Sequence, residues 1–380
     1  MLMKYLSFLT RRPARSGIRT KPGHLHMADR LLLVIVAVVT TIGILMVYNS
    51  SVAIAQRDFA DQYYFAKEQL KWLAVGGVAM IVASNIDYHR WYAWSLPMLL
   101  GTIVLLLSVF IPGIGVSAQG AHRWVNIWFT TLQPAELAKF SLIVYLSAWF
   151  SKPEKGRLGA FALLLAMVVG LVVIEPDLGT AVIIGTVAVM MYFFSGAKLS
   201  HFLIMVPTLA VAVVLLAVAA PYRTARLTTF LNPQVDPLGS SYQIRQILLA
   251  LGSGGLFGVG LGKSRQKYEY LPEANTDSIF AIIGEELGFI GSVAIIGLFL
   301  IIIWRGFRIA KRAPDAFGRM LALGIASWIA IQAGINLAAM VALVPLTGIP
   351  LPFVSYGGSS LIVLLLSMGI LLNISRHKGS

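Results

Sequence analysis

Ten stretches of this 380-residue chain are apolar over roughly the length that crosses a bilayer, and no other feature constrains the fold as much. They cover residues 31–48, 72–86, 95–113, 136–150, 158–174, 178–194, 199–220, 278–304, 318–340 and 359–375. A hydrocarbon core of about 30 Å takes about 20 mainly apolar residues per helix. The second and fourth runs are short for that and are expected to begin in the segments before them. Hydrophobic residues make up 58% of the chain and charged residues 12%, against about 45–50% apolar and about 25% charged in a soluble domain. The fold class is therefore an all-α polytopic membrane protein of about ten transmembrane helices. Residues 30–380 read as one membrane domain. A basic arm, 1–29, precedes it with the composition of a disordered segment. A long extracytoplasmic loop, 221–277, joins helices seven and eight.

Lysine and arginine orient the helices. One side of a ten-span protein with both termini together collects 19 of the 30 basic residues: seven through Arg30, then Arg90, Lys152, Lys155, Arg157, Lys198, five from Arg305 to Arg319, Arg376 and Lys378. The other side holds 10, six of them in the one long loop, and long loops cross largely regardless of charge. Both termini are therefore expected in the cytoplasm. The net charge of +14 lies in the arm and the short loops, where it favours anionic lipid, so nucleic acid is rejected as a partner. There is no cysteine, hence no disulfide, thiolate or cysteine-ligated metal. Ala53-Ile54-Ala55 imitates a cleavage site, but the run before it is longer than the about 7–15 residues of a signal peptide, so it reads as an uncleaved span.

The outward loop has its own pattern. Residues 242–251 read as a short amphipathic helix, a glycine-rich run covers 252–262, and an acidic strip carries Glu269, Glu273 and Asp277. Spacing by four would stack those carboxylates on one helical face, but Pro272 disfavours a helix through Leu271. The spacing therefore predicts a loop followed by a helix starting near Thr276 or Asp277, with either residue a competent N-cap. Asp277 as cap and Asp277 as catalyst are compatible, because the junction would hold the carboxylate rigidly. Burial and neighbouring carboxylates raise a carboxyl pKa towards the general-base range. Glu285 and Glu286 follow inside the span, where acids are costly and functional by default. The glycine run resembles a phosphate-binding loop only superficially, since Phe257 stands where the first glycine belongs and no strand precedes it. Close backbone approach is the better use of its glycines.

Three further groups bear on chemistry. Glu136 and Lys139 are three apart on one helical face, with Pro134 fitting the first turn. They read as a structural ion pair or, with Arg123, as groups that meet a substrate phosphate. Glu175-Pro176-Asp177 reads as a tight outward turn. Prolines and glycines from Pro345 to Gly358, with Ser355 among them, break helix at membrane depth, which survives only when buried or lining a wet cavity. Gln332 and Asn336 could line that cavity or join helices by hydrogen bonds. No Asp-x-Asp motif and no histidine pair with metal-ligand spacing is present.

Taken together, these strings resemble the SEDS family (shape, elongation, division and sporulation), and most closely its division-type, FtsW-like branch rather than the RodA-like one. The matching pieces are Gly120-Ala121-His122-Arg123-Trp124, Gln133-Pro134-Ala135-Glu136, Pro176-Asp177-Leu178-Gly179-Thr180, Tyr242-Gln243, Leu271-Pro272-Glu273 with Thr276-Asp277, Glu285-Glu286-Leu287-Gly288, and Pro350-Leu351-Pro352-Phe353 through Ser360. Gln266 to Glu273 carries the likeness to the division branch. Asn275 departs from a usual histidine, Ser278 from a common phenylalanine and Ala342 from a glycine.

The resemblance implies a peptidoglycan glycosyltransferase in the bacterial cytoplasmic membrane that polymerises lipid II onto a nascent glycan chain by inverting transfer, for septal wall synthesis. Asp277 matches the family's essential acid. It would take the proton of the acceptor hydroxyl, a role typically worth about 10²–10⁴ in rate. The leaving pyrophosphate would need cations, for which Arg123, Lys139, Arg245, Lys263 and Lys267 are the candidates, or a divalent ion such as magnesium or manganese. Glu136, Glu269, Glu273, Gln332, Asn336 and Ser355 complete the expected substrate site. The implied partners are a class B penicillin-binding transpeptidase and other division or elongation proteins. Two other readings stand beside this one: a lipid II flippase, with Glu136, Lys139, Glu285 and Glu286 as a polar path, and a non-catalytic scaffold.

Overall fold

A computed structural model describes residues 27–118, 121–127, 130–152, 156–219, 221–232, 241–268 and 270–377. The expectation of disorder for the basic arm falls on residues 1–26, outside that set.

The ten apolar runs are ten helices: α1 (Arg30–Phe59), α2 (Tyr64–Asn85), α3 (His89–Ser108), α4 (Pro134–Phe150), α5 (Leu158–Ile174), α6 (Leu178–Phe194), α7 (Leu199–Val218), α10 (Ile279–Lys311), α11 (Ala316–Met340) and α12 (Gly358–Arg376). Two more, α8 (Pro221–Leu231) and α9 (Tyr242–Ser253), lie in the long loop. Polar residues at the span ends act as caps. Asp29 accepts from Leu32 N at 3.0 Å, Asp177 from Thr180 N at 3.0 Å and Asp315 from Gly318 N at 2.9 Å, each satisfying an otherwise unpaired first-turn amide. Pro134 opens α4, where its missing N–H costs nothing. α2 does begin ahead of its apolar run, and the charges this brings in, Glu68 and Lys71, pair at 2.6 Å.

Packing in hydrocarbon gains nothing from hiding apolar surface, so close backbone approach matters more. The α2–α12 contact shows this. A Cβ on Gly369 would stand 2.3 Å from Met80 O, and one on Gly76 2.7 Å from Leu365 Cδ1. At the opposite extreme, no side chain of α7 is buried.

The segment before α4 is not irregular, as an all-α reading implies. It forms a small antiparallel sheet of β1 (Gly115–Ala118), β2 (Ala121–Ile127) and β3 (Thr130–Leu132) in the order β1-β2-β3. Val116 faces Trp124 and Val125 faces Leu132, with an irregularity between Val116 and Ser117.

The element that positions the site is α10. Its 33 residues exceed what a bilayer requires. At 1.5 Å per residue, Glu286 stands about 29 Å from Arg305, close to the thickness of a hydrocarbon core of about 30 Å. The helix breaks just there, at Gly288 (φ 69°, ψ −165°). A break strands backbone groups, and the glycine-rich loop pairs with them. Val259 N donates to Glu285 O at 3.0 Å, Gly260 N to Glu286 O at 3.1 Å and Phe289 N to Gly255 O at 2.9 Å. Such proximity requires glycine: a Cβ on Gly258 would lie 2.1 Å from Glu286 O. Close backbone approach is thus the role of the run. Gly258→Ala should lower stability by about 1–3 kcal/mol, the range for overpacking, and open residues 254–265 to protease. Gly297→Ala, where nothing lies within 4 Å, should do neither. Thermal unfolding and limited proteolysis in nanodiscs compare the two.

Candidate active site

The N-terminal end of α10 carries two acids whose surroundings differ sharply from those of Asp277. Glu286 accepts from Gly262 N at 3.0 Å, Ser264 N at 3.1 Å, Asn49 Nδ2 and Lys267 Nζ at 3.4 Å. Glu285 accepts from Arg265 N at 3.0 Å and from Ser264 Oγ. These buried carboxylates are the nucleus around which residues 262–267 fold. Lys267, a sequence candidate for substrate, is buried in the same cluster, donating also to Asn49 Oδ1 at 2.8 Å and Gly262 O at 2.6 Å.

From this anchor the chain turns through residues 270–278, held at the bottom by Asn336. Asn336 Nδ2 donates at 2.8 Å to both Asp277 O and Ile349 O, tying the acidic strip to α11 and to the broken segment after it. Tyr356 N donates to Asn275 O at 2.9 Å. The helix begins at Ile279 with Ser278 at the N-cap position. Asp277 is therefore not the cap, and the bland account of its carboxylate falls away. Its only hydrogen-bond donor among the described side chains is Ser278 Oγ, at 3.2 Å from Oδ1. Gln243 of α9 donates to that hydroxyl at 3.1 Å, so α9 reaches the acid through Ser278. With 7% of its surface exposed, Asp277 is pushed up to about 7, by burial first and by the Glu273 charge second. Ser278 and Arg226 pull the other way. Glu273, in a left-handed conformation (φ 52°), takes a 2.6 Å hydrogen bond from Thr276 Oγ1.

Arg226, on α8, was not among the residues picked from sequence. A methyl placed on Gly348 would lie 3.8 Å from Arg226 Nη1 and 3.9 Å from Asp277 Oδ2, so both border the same spot. Arg226 is exposed and holds Leu346 O at 3.4 Å. No local signal marks it; only the fold brings α8 over the broken segment.

The remaining candidates are distributed as follows. Lys139 is buried, 2.7 Å from Glu136 Oε1 and 3.0 Å from Gln332 Oε1, with its ammonium 5.1 Å from the Trp328 ring. Gln332 also takes Trp328 Nε1 at 2.8 Å and gives Nε2 to Pro350 O at 3.0 Å. This is a lock between α4, α11 and the broken segment. Ser355 accepts from Leu351 N at 2.8 Å, and its carbonyl accepts from Gln69 of α2 at 3.3 Å. Arg123 reaches from β2 to Glu175 O at 3.2 Å and to Pro176 O, latching the sheet to the α5–α6 turn. Arg245 and Lys263 are exposed, and Glu269 lies outside the described residues. Among the described residues no group of three histidine, aspartate or glutamate side chains is placed to hold a metal ion.

Glu175 completes the outer face. It is fully buried, and both carboxyl oxygens lack a partner. Burial pushes it up to about 8, Asp177 adds to that, and Arg123 opposes it.

The chain is similar over nearly its whole length to known proteins. A family model described as cell cycle protein, FtsW/RodA/SpoVE, matches residues 29–380. Stage V sporulation protein E of Bacillus subtilis is 43% identical over 357 residues, 92% of this chain and 97% of that protein. A probable peptidoglycan glycosyltransferase FtsW of Trichlorobacter lovleyi is 45% identical over 364 residues, 94% of this chain and 96% of that one. Among solved structures, a chain from work on the structural coordination of polymerization and crosslinking by a peptidoglycan synthase complex superposes with a TM-score of 0.76 at 27% identity, covering 92% of this chain and 98% of that chain. The rod shape determining protein RodA of Thermus thermophilus does so at 0.68 and 27%, covering 92% and 97%.

Keeping Asp277 short of donors has a thermodynamic signature. A carboxyl whose pKa is higher folded than unfolded binds its proton more tightly when folded, so its contribution falls as pH rises from about 4 to about 7 and stays unfavourable above. Asp277→Asn should therefore raise the thermal midpoint relative to the parent at pH 8, and the gap should close as pH drops towards 4.

Proposed function

The chain belongs to the FtsW/RodA/SpoVE family of cell cycle proteins, and from that membership and the geometry of its outer face we propose that it is a peptidoglycan glycosyltransferase that polymerises lipid II in the bacterial cytoplasmic membrane during septal wall synthesis. One observation carries the assignment of chemistry: a buried carboxyl, Asp277, with a single hydroxyl donor and a pKa near 7, stands beside an exposed guanidinium at the outer end of a broken span. Ionised, Asp277 accepts the proton of the acceptor sugar's 4-hydroxyl. The oxygen forms a bond to the anomeric carbon of the donor as the bond to pyrophosphate breaks, and the electron pair leaves with undecaprenyl pyrophosphate. Attack opposite the leaving group inverts the centre.

Lys139, Lys267 and Arg123 are occupied within the protein, so of the cations expected from sequence the exposed Arg245 and Lys263 remain for the pyrophosphate, joined by Arg226 beside the acid. Among the described residues the carboxylates at hand are Asp277 and Glu273, too few for a protein-held metal site, so a divalent ion held by these residues would have to share the pyrophosphate as ligand. Both termini are assigned to the cytoplasm, which turns the Asp277 end outward. A class B penicillin-binding transpeptidase is the proposed partner, supported by the likeness to a chain from a synthase complex that coordinates polymerization with crosslinking.

The polymerase reading is preferred to a flippase because Glu136, Lys139, Glu285 and Glu286 hold one another and the loop instead of lining an open path. The test is glycan polymer made from lipid II by the purified chain with its transpeptidase. Asp277→Ala and Asp277→Asn should lose about 10²–10⁴ in rate. The parent's rate should climb with pH through about 7, as Asp277 gives up its proton. Arg226→Ala should lower the turnover number by about 10²–10³, as for other donors to developing negative charge. Equal polymer from parent and Asp277 variants sinks the assignment of the base. Headgroup crossing without polymer sinks the polymerase.

A further inference from the structure

We propose that the inner end of the same helix carries a binding site for the phosphate headgroup of an anionic glycerophospholipid. A cavity of about 220 Å³ lies where α1, α10 and α12 end, lined by Arg30, Arg305, Arg308, Arg312, His377 and Asp29, among others. Arg305, Arg308 and Arg312 follow an i, i+3, i+7 spacing and so share one face of α10. Asp29 is the one carboxylate in the lining, and it is already engaged. It caps α1 at Leu32 N and pairs with Arg305 Nε at 2.8 Å. Arg30, Arg308 and Arg312 have no carboxylate partner among the described residues. A bias of basic residues towards the cytoplasm explains their number on this side, but not their convergence on one cavity. Guanidinium groups gathered in a hollow repel one another. A phosphate relieves that by accepting planar, paired hydrogen bonds from the same groups.

The surroundings favour lipid over a soluble anion. Trp304 lies 5.4 Å from the Arg305 guanidinium and 5.0 Å from that of Arg308, and 52% of it is exposed. Tryptophan at the end of a span marks the headgroup level. Leu31 lines the cavity and is exposed, as are Val34 and Val38, which follow it on the same face of α1. An apolar track for acyl chains thus leads away from a basic cup. Basic pockets between helices on the cytoplasmic side hold anionic headgroups by this combination. The proposal uses the orientation argued above but is independent of the polymerase reaction.

The full chain in detergent, with no lipid II present, is titrated with phosphatidylglycerol, phosphatidylcholine, glycerol phosphate or inorganic phosphate. Bound lipid is counted by native mass spectrometry and the thermal midpoint is followed in parallel. Phosphatidylglycerol alone should be retained and should raise the midpoint. Arg308→Gln with Arg312→Gln should weaken its retention about fivefold per arginine removed. These two arginines are chosen because neither is in the Asp29 pair, and Arg308→Lys with Arg312→Lys should keep most of the binding. Equal retention by parent and glutamine variant overturns the site, as does equal retention of phosphatidylcholine. Stabilisation by free phosphate matching that by phosphatidylglycerol overturns the assignment to lipid.

Discussion

A carboxylate at the edge of hydrocarbon must be given donors or lose its charge, and the outer half of this protein is organised by that requirement. Glu285 and Glu286 face it where α10 breaks. Their donors come from Gly262, Ser264, Arg265 and Lys267 in the loop and from Asn49 on α1. Satisfying two acids therefore folds a loop, joins it to a second span and fills the break at Gly288 with backbone partners from the glycine run. The turn leading to Asp277 starts from that platform, and Asn336 fixes its end. Without the platform, Asp277 would sit on a loop of more than fifty residues with no defined position relative to the membrane.

The protein separates structure from chemistry by how it distributes donors. Lys139, Glu136, Gln332 and Trp328 form a set that joins three elements and engages its one cation, leaving Glu136 Oε2 as its single unpartnered oxygen. Asp277 receives one hydroxyl, and Glu175 receives nothing on either oxygen. Burial first, and then a neighbouring carboxylate, raises both carboxyls towards neutrality and lowers the stability of the fold at neutral pH, and few donors oppose it. That cost is tolerable because the platform and the Lys139 set are over-determined, as expected where a site stores an unfavourable arrangement.

Much of this was legible in the sequence, and the misses have physical causes. α5 and α6 end where their apolar runs end, because turns with Gly, Pro or Asp bound them. The short helix at Tyr242 also follows from its pattern, with Ile244, Ile247 and Ala250 inward. The sheet was not legible: its strands are short and lack clean alternation, and their pairing is a property of the hairpin. Glu136 and Lys139 could be read two ways, since a spacing of three permits an ion pair and a substrate contact alike. Only Gln332, nearly two hundred residues away, decides between them. Arg226 sits on a helix within a loop, and its proximity to Asp277 depends on three separate segments.

The length of α10 gives the two ends of the molecule a common purpose. From Gly288 to Trp304 the helix has seventeen residues, about 25 Å at 1.5 Å each, close to a hydrocarbon thickness. Trp304 and the arginines set the inner boundary, and the break with its acids sets the outer one. A helix pinned at the inner headgroups cannot sink or rise without mismatch. The part beyond Gly288 must then stand at the outer headgroups, and Asn336 holds the turn that carries Asp277 against the same end of α11. A lipid-linked sugar presents its pyrophosphate at just that level, because its tail cannot leave the hydrocarbon. The carboxylate proposed as the base is thus placed in depth by contacts at the other end of the same helix.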